Sequence, residues 1–257
     1  MQNSPIIEIQ DLNYLIDDKK IINDISFNVN EGDFISILGP NGSGKSTLIK
    51  LISGDIKASS GNIKILGKNK HDWDIEELAN YRSVLPQFDN LSFPFRVLDV
   101  IKMGRYPVLE KHDDNIIYEE LLNIFDLSNL STQIYTTLSG GEKQRVQLAR
   151  VVSQIWTNES YKKKILLLDE PTSFLDIKHQ LLMFKFLKKL HKKGLTIVMV
   201  LHDINQAILN SDKILLLKDT ALIAYDQKDE IINNGLLNEV FDVCFDIENI
   251  KKNIISV

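Results

Sequence analysis

The sequence predicts an α/β fold with a mainly parallel sheet, an N-terminal antiparallel β lobe and an inserted helical lobe. Three observations carry this. Short apolar strands alternate with amphipathic helices through the last third of the chain. Residues Ile6 to Asn30 alternate apolar and polar side chains, the period of half-exposed strands. From about Asp89 to Ser160 the apolar spacing is helical, with almost no strand pattern.

Taken in order, Ile7, Ile9, Ile25, Phe27 and Val29 supply the inward positions of the first strands, and Glu31-Gly32-Asp33 turns the chain. Phe34–Leu38 is a continuous apolar strand that runs into a glycine-rich loop, and Thr47–Ile52 reads as a helix. Asn62–Leu66 is the next strand. Helices follow over Asn115–Phe125 and Glu142–Ile155, inside the lobe set at about 89–160. Strand Ile165–Asp169, a helix from Asp176, strand Thr196–Leu201, a helix from Asp203 and strand Lys213–Leu217 close the pattern. In the Asp176 helix, Leu181, Phe184, Leu187 and Leu190 form the apolar stripe, and Gly194 ends it. The chain, 1–257, is read as one domain.

Composition narrows the function classes. The 257 residues are 44% hydrophobic and 25% charged, as in ordinary globular proteins. A net charge of −5 argues against a nucleic-acid footprint. The single cysteine, Cys244, permits no intrachain disulfide and fits a small buried hydrophobe in a reducing compartment. No secretory signal is evident, and no apolar run approaches the roughly 20 residues that span a bilayer. A soluble subunit that docks onto a membrane partner is therefore the expectation for any membrane role.

Gly39-Pro40-Asn41-Gly42-Ser43-Gly44-Lys45-Ser46 fits the P-loop pattern, between a predicted strand and a helix that Thr47 enters. Glycines let successive N–H groups turn toward phosphate oxygens, and the helix adds its positive end. Lys45 is expected on the β- and γ-phosphates and Ser46 on Mg²⁺. Ile165–Leu168 then delivers Asp169 and Glu170 to the carboxyl edge of the sheet. Asp169 suits Mg²⁺ coordination and Glu170 suits the general base that polarises water. These elements define a P-loop NTPase core. By themselves they do not distinguish a kinase, a GTPase and a transport ATPase.

Leu138-Ser139-Gly140-Gly141-Glu142-Lys143-Gln144-Arg145 distinguishes them. Read from its residues, it is a capping box, Ser139 with Glu142, that opens a helix at a small anion site. The segment also resembles the signature of ATP-binding cassette (ABC) ATPases, and the resemblance extends over nearly the whole chain. It implies that Ser139, Gly140, Gly141 and Glu142 close onto a nucleotide held by the other subunit of a homodimer. It implies that Gln87 senses Mg²⁺ and the attacking water, and that His202 contacts the γ-phosphate. Ser173-Phe174-Leu175-Asp176 matches the loop that crosses the dimer interface, with Phe174 where alanine is usual. The aromatic that stacks adenine in the family is replaced by Ile16, with Tyr14 two residues earlier.

The resemblance implies ATP and Mg²⁺ as cofactors, and two multi-span permease subunits with a substrate-binding protein beyond them. It places the chain at the cytoplasmic face of the bacterial inner membrane. Arg82–Gln87 with Phe93-Pro94-Phe95, Met103-Gly104-Arg105 and the long Ser153–Lys164 stretch resemble hemin importers within the iron-chelate, haem and cobalamin group. Ferric siderophore and cobalamin are the alternative cargoes. Asp89–Tyr106, with Phe88, Phe93 and Phe95, is the segment expected to meet the permease or to fill the helical core.

Overall fold

The computed structural model describes residues 5–87, 91–107, 114–157, 160–243 and 245. Phe88, His112 and Cys244, and parts of the Asp89–Tyr106 and Ser153–Lys164 segments, lie outside the described residues. The elements in chain order are β1 (Ile7–Ile16), β2 (Lys19–Val29), β3 (Phe34–Leu38), α1 (Lys45–Ser53), β4 (Ser60–Ile65), β5 (Lys68–Asn69) and α2 (Ile75–Ala79). There follow β6 (Arg82–Leu85), α3 (Val97–Met103), α4 (Asp114–Ile124), α5 (Gly140–Ile155), β7 (Ile165–Asp169) and α6 (Ile177–His191). Last come β8 (Thr196–Val200), α7 (Ile204–Asn210), β9 (Lys213–Lys218), β10 (Ala221–Gln227), α8 (Lys228–Asn233) and α9 (Leu236–Phe241). They fall into two compact units, residues 1–72 with 198–257 and Trp73–Ile197.

In the first unit, β1 and β2 form the antiparallel pair that the period-two pattern predicts, with Ile7 opposite Val29 and Ile9 opposite Phe27. Their alternate residues Ile7, Ile9, Ile22, Ile25 and Val29 are buried. β4 and β5 extend the sheet in the order β2-β1-β4-β5. A second set of strands lies in the order β10-β9-β3-β8. Here β3 and β9 are parallel, Ile35 beside Lys213 and Leu38 beside Leu216. All five residues of β3 are buried, so its apolar run is continuous rather than alternating. β10 was not legible as a strand. It pairs antiparallel with β9 through a turn in which Asp219 and Thr220 both have positive φ. Positive φ at both turn residues suits a tight hairpin, but Asp-Thr lacks the Asn-Gly or Asp-Gly signal that announces one.

In the second unit, β6 and β7 are parallel, with Leu85 beside Leu168. Gln154 on α5 fastens that helix to β6, donating to the carbonyls of Ala79 and Arg82 at 2.9 Å each. α3 packs on α5 at Gly104. A Cβ there would stand 2.1 Å from the Arg150 carbonyl oxygen and 2.2 Å from Ser153 Oγ, so no larger residue fits. Arg105 next to it, 6% exposed, donates to the carbonyls of Ser153 (3.2 Å) and Trp156 (3.4 Å), which end α5. Met103-Gly104-Arg105 is thus a packing and capping device. In α6 the buried stripe is Met183, Phe184, Phe186, Leu187 and Leu190, while Leu181 is 43% exposed. The two described phenylalanines before α3 face outward, Phe93 67% and Phe95 38% exposed, with ring centroids 6.1 Å apart. Among the described residues no helix is long and apolar enough to cross a membrane.

Candidate functional site

β3 enters its loop through three glycines in the left-handed region, Gly39 (φ 155°), Gly42 (81°) and Gly44 (100°). Two of them are also fixed by space. A Cβ on Gly39 would lie 2.1 Å from the Leu217 carbonyl oxygen, and one on Gly44 would lie 2.7 Å from that of Ile21. With Pro40 and Asn41 between them, they wrap the chain around its own Lys45, which is 6% exposed. The Lys45 ammonium donates to the carbonyls of Gly39 (2.8 Å) and Pro40 (2.9 Å). Ser43 is 3% exposed, and its Oγ has no hydrogen-bond partner among the described residues. α1 begins after Gly44 without a side-chain cap, and Ser46 and Thr47 sit half-buried on its first turn. A buried cation, an unpaired buried hydroxyl and an uncapped helix start make a site whose unmet polar groups fit a polyphosphate.

Three more of the expected residues lie in the same unit. The Leu201 N–H donates to the Ile37 carbonyl at 3.2 Å, so His202 leaves β8 beside the end of β3. Tyr14 sits opposite Ile22, whose Cδ1 would approach a Gly44 Cβ to 2.8 Å. Ile16 pairs with Lys19 at the hairpin tip and is 49% exposed. Register therefore puts Tyr14 nearer the glycine loop than Ile16, by two residues of strand, about 7 Å.

The second unit collects the remaining residues in two groups. Asp169 ends β7, 1% exposed, and Glu170 follows with φ 52°. That backbone angle is uncommon for a glutamate and turns the chain sharply off the strand. Ser173 holds the turn, its N–H donating to the Glu170 carbonyl (3.2 Å) and its hydroxyl to Glu170 Oε2 (3.3 Å). Because Leu85 pairs with Leu168, Gln87 leaves β6 as far along as Glu170 leaves β7. The three polar residues share one carboxyl edge.

The other group is the start of α5. Ser139 and Glu142 form the complete capping box: the Ser139 N–H and hydroxyl reach Glu142 Oε2 at 2.8 and 2.7 Å, and Ser139 Oγ accepts the Glu142 N–H. The Ser139 hydroxyl, then its N–H, holds the Glu142 carboxyl below its ordinary pKa. Phe174, at φ 69° and 68% exposed, lies over this helix start. A Cβ on Gly140 would meet its ring at 3.5 Å, an ordinary contact, whereas one on Gly141 would stand 2.7 Å from its carbonyl oxygen. Asp176 caps α6 by accepting the His179 N–H at 2.8 Å. That bond first, then burial opposed by the His179 side chain, leaves its carboxyl below the ordinary range.

Sequence reasoning missed the residues that hold the Thr172–Asp176 loop. Gln144 donates to the Pro171 carbonyl at 3.2 Å, and Gln180 to those of Leu175 (3.0 Å) and Thr172 (3.3 Å). Their only signal was an amide within reach of a turn lacking regular backbone pairing.

Comparison with known proteins places the chain in a family. The ABC transporter family model matches residues 22–173, and the chain belongs to that family. Among curated relatives, the hemin import ATP-binding protein HmuV of Chelativorans sp. (strain BNC1) is 40% identical over 237 residues, covering 92% of this chain and 91% of the relative. The protein of the same name from Escherichia coli O157:H7 is 36% identical, with 92% of each chain covered. Among solved structures, a metal-chelate type ABC transporter in an inward-facing conformation superposes with a TM-score of 0.74 at 27% identity, over 93% of this chain and 90% of that one. The P-loop α/β fold, with its mainly parallel strands and separate antiparallel sheet, is that of an ABC ATPase.

Proposed function

We propose that this chain is the ATP-hydrolysing subunit of an importer, that it acts as a head-to-tail homodimer, and that the cargo is hemin. The observation that carries the reading is the loop between β3 and α1, where a buried lysine, an unpaired serine hydroxyl and an uncapped helix start converge. Lys45 would exchange its carbonyl partners for the β- and γ-phosphates, a charge-assisted interaction stronger than the bonds it leaves. Ser46 and Asp169, with Gln87, would hold Mg²⁺, which when bound offsets the charge on the phosphate oxygens.

Glu170 is the base of the proposed step. It accepts a proton from water as the water oxygen attacks the γ-phosphorus and the bond to the ADP oxygen breaks. His202 donates to the γ-phosphate. Tyr14 and Ile16 meet the adenine. Ser139, Gly140, Gly141 and Glu142 of one protomer, with the Asp176 loop, close on the nucleotide of the other. Closure is favoured by contacts that need the γ-phosphate and relaxes once hydrolysis removes it.

Two permease subunits in the membrane would receive this motion at Asp89–Tyr106, where Phe93 and Phe95 are exposed, and a substrate-binding protein would deliver cargo to them. The chain is then peripheral to the cytoplasmic face of the membrane. Hemin is supported by the names of relatives up to 42% identical. The test is a strain carrying Lys45→Ala. It should lose growth on hemin as sole iron source and keep growth on ferrous salt. Loss of growth on a ferric siderophore alone would transfer the cargo to that alternative.

A further inference from the structure

We infer that His179 is a positioning residue for ATP hydrolysis, its ring latching the Ser173–Asp176 loop to the turn after α4, which Arg145 in turn ties to α5. The inference rests on the ATPase reading above and names the residues that keep its two trans-acting segments in register.

His179 sits on the first turn of α6, with 15% of its side chain exposed. Its Nδ1 is 2.8 Å from Asp176 Oδ1, and its Nε2 is 3.4 Å from Asp126 Oδ2. One ring therefore spans from the cap of its own helix to a different element. Asp126 has φ 55°, the left-handed residue that ends α4, and its carboxylate also receives Lys178 Nζ at 3.2 Å. On its other side the turn is gripped from α5. Arg145 Nη1 donates to the Phe125 carbonyl at 2.8 Å and to that of Asp126, carbonyls left over at the helix end. Arg145 lies on the same helix that starts at Gly140, under Phe174. The loop and the start of α5 thus meet twice, directly through Phe174 and again through His179, Asp126 and Arg145.

The acceptors of this latch are Asp126 and Asp176, since ionised carboxylates only accept hydrogen bonds. Hydrogen bonds from Lys178, then from His179, hold the Asp126 carboxyl below its ordinary range, and Asp176 is held low as well. The charged groups facing the ring are Asp176 and Lys178 on α6, Asp126 after α4 and Arg145 on α5.

The test compares steady-state ATPase kinetics of the full chain with Mg-ATP for wild type, His179→Ala, His179→Asn, His179→Gln and Asp126→Asn. His179→Ala should lower kcat by about 3- to 10-fold, the net worth of one hydrogen bond, with KM and nucleotide affinity unchanged. Asparagine reaches only Asp176 and glutamine only Asp126, so each should restore part of the loss. Asp126 lies on the surface, 58% of its side chain exposed, and Asp126→Asn should lower kcat in the same way even if His179→Ala is poorly folded. No kcat change in either His179→Ala or Asp126→Asn, or a loss carried by KM alone, would overturn the latch while leaving the ATPase reading intact. A wild-type chain that hydrolyses no ATP would overturn both.

Discussion

Gly140 and Gly141 are neighbours on the first turn of α5, yet the structure assigns them opposite responses to alanine. In a helix, alanine is better than glycine by up to about 1 kcal/mol, and both sites gain some of that. At Gly140 the new methyl would rest 3.5 Å from the Phe174 ring, so the gain stands. At Gly141 it would stand 2.7 Å from the Phe174 carbonyl oxygen, a backbone atom in a loop fixed by Gln144 and Gln180. Several tenths of an ångström must be recovered by moving helix or loop, and overpacking of that kind costs about 1–3 kcal/mol. Gly141→Ala should therefore melt below Gly140→Ala by about 1–3 kcal/mol, or roughly 3–10 °C for a chain of this size. Differential scanning calorimetry of the two variants, without nucleotide, measures it. Equal melting temperatures, or a higher one for Gly141→Ala, would refute the contact on which the argument stands.

Glu170→Gln should retain ATP binding and lose about 10²- to 10⁴-fold in turnover, as expected for removal of a general base; isothermal titration and a phosphate-release assay separate the two effects, and ordinary turnover would remove Glu170 from that role. Ser139→Arg should spare nucleotide affinity and abolish dimer closure, so lost affinity in a fluorescent-nucleotide assay would contradict a role across the interface. Gly104→Ala places a methyl 2.1 Å from the Arg150 carbonyl oxygen, and should lower stability by about 2 kcal/mol or more in a urea melt; a neutral result would contradict the α3–α5 packing.

Much of the fold could be read from pattern because local and global preferences agree. β3 and β7 match the predicted strands residue for residue, since a fully buried parallel strand must be continuously apolar. The starts of α5, α6 and α7 were legible because Ser139, Asp176 and Asp203 each cap with a side-chain oxygen. Failures came where backbone geometry departs from the usual residue choice. The Asp219-Thr220 turn hid β10, and the helical stripe of α6 shifted from Leu181 to Met183 because three-residue spacing drifts around a helix of 3.6 residues per turn. In the candidate site, the glycine loop and the acidic strand end announced themselves by residue type. His179 and Asp126, fifty-three positions apart, did not, because a contact between side chains of distant elements leaves no local spacing to read.

The proposed function requires that two copies of this chain enclose two ATP molecules. Glu170→Gln incubated with Mg-ATP and passed over a sizing column with light-scattering detection measures this. The expected result is a species of twice the chain mass carrying two nucleotides, reverting to single chains when the nucleotide is ADP. A nucleotide-loaded variant that remained at the mass of one chain, alone and with its membrane partner, would contradict it.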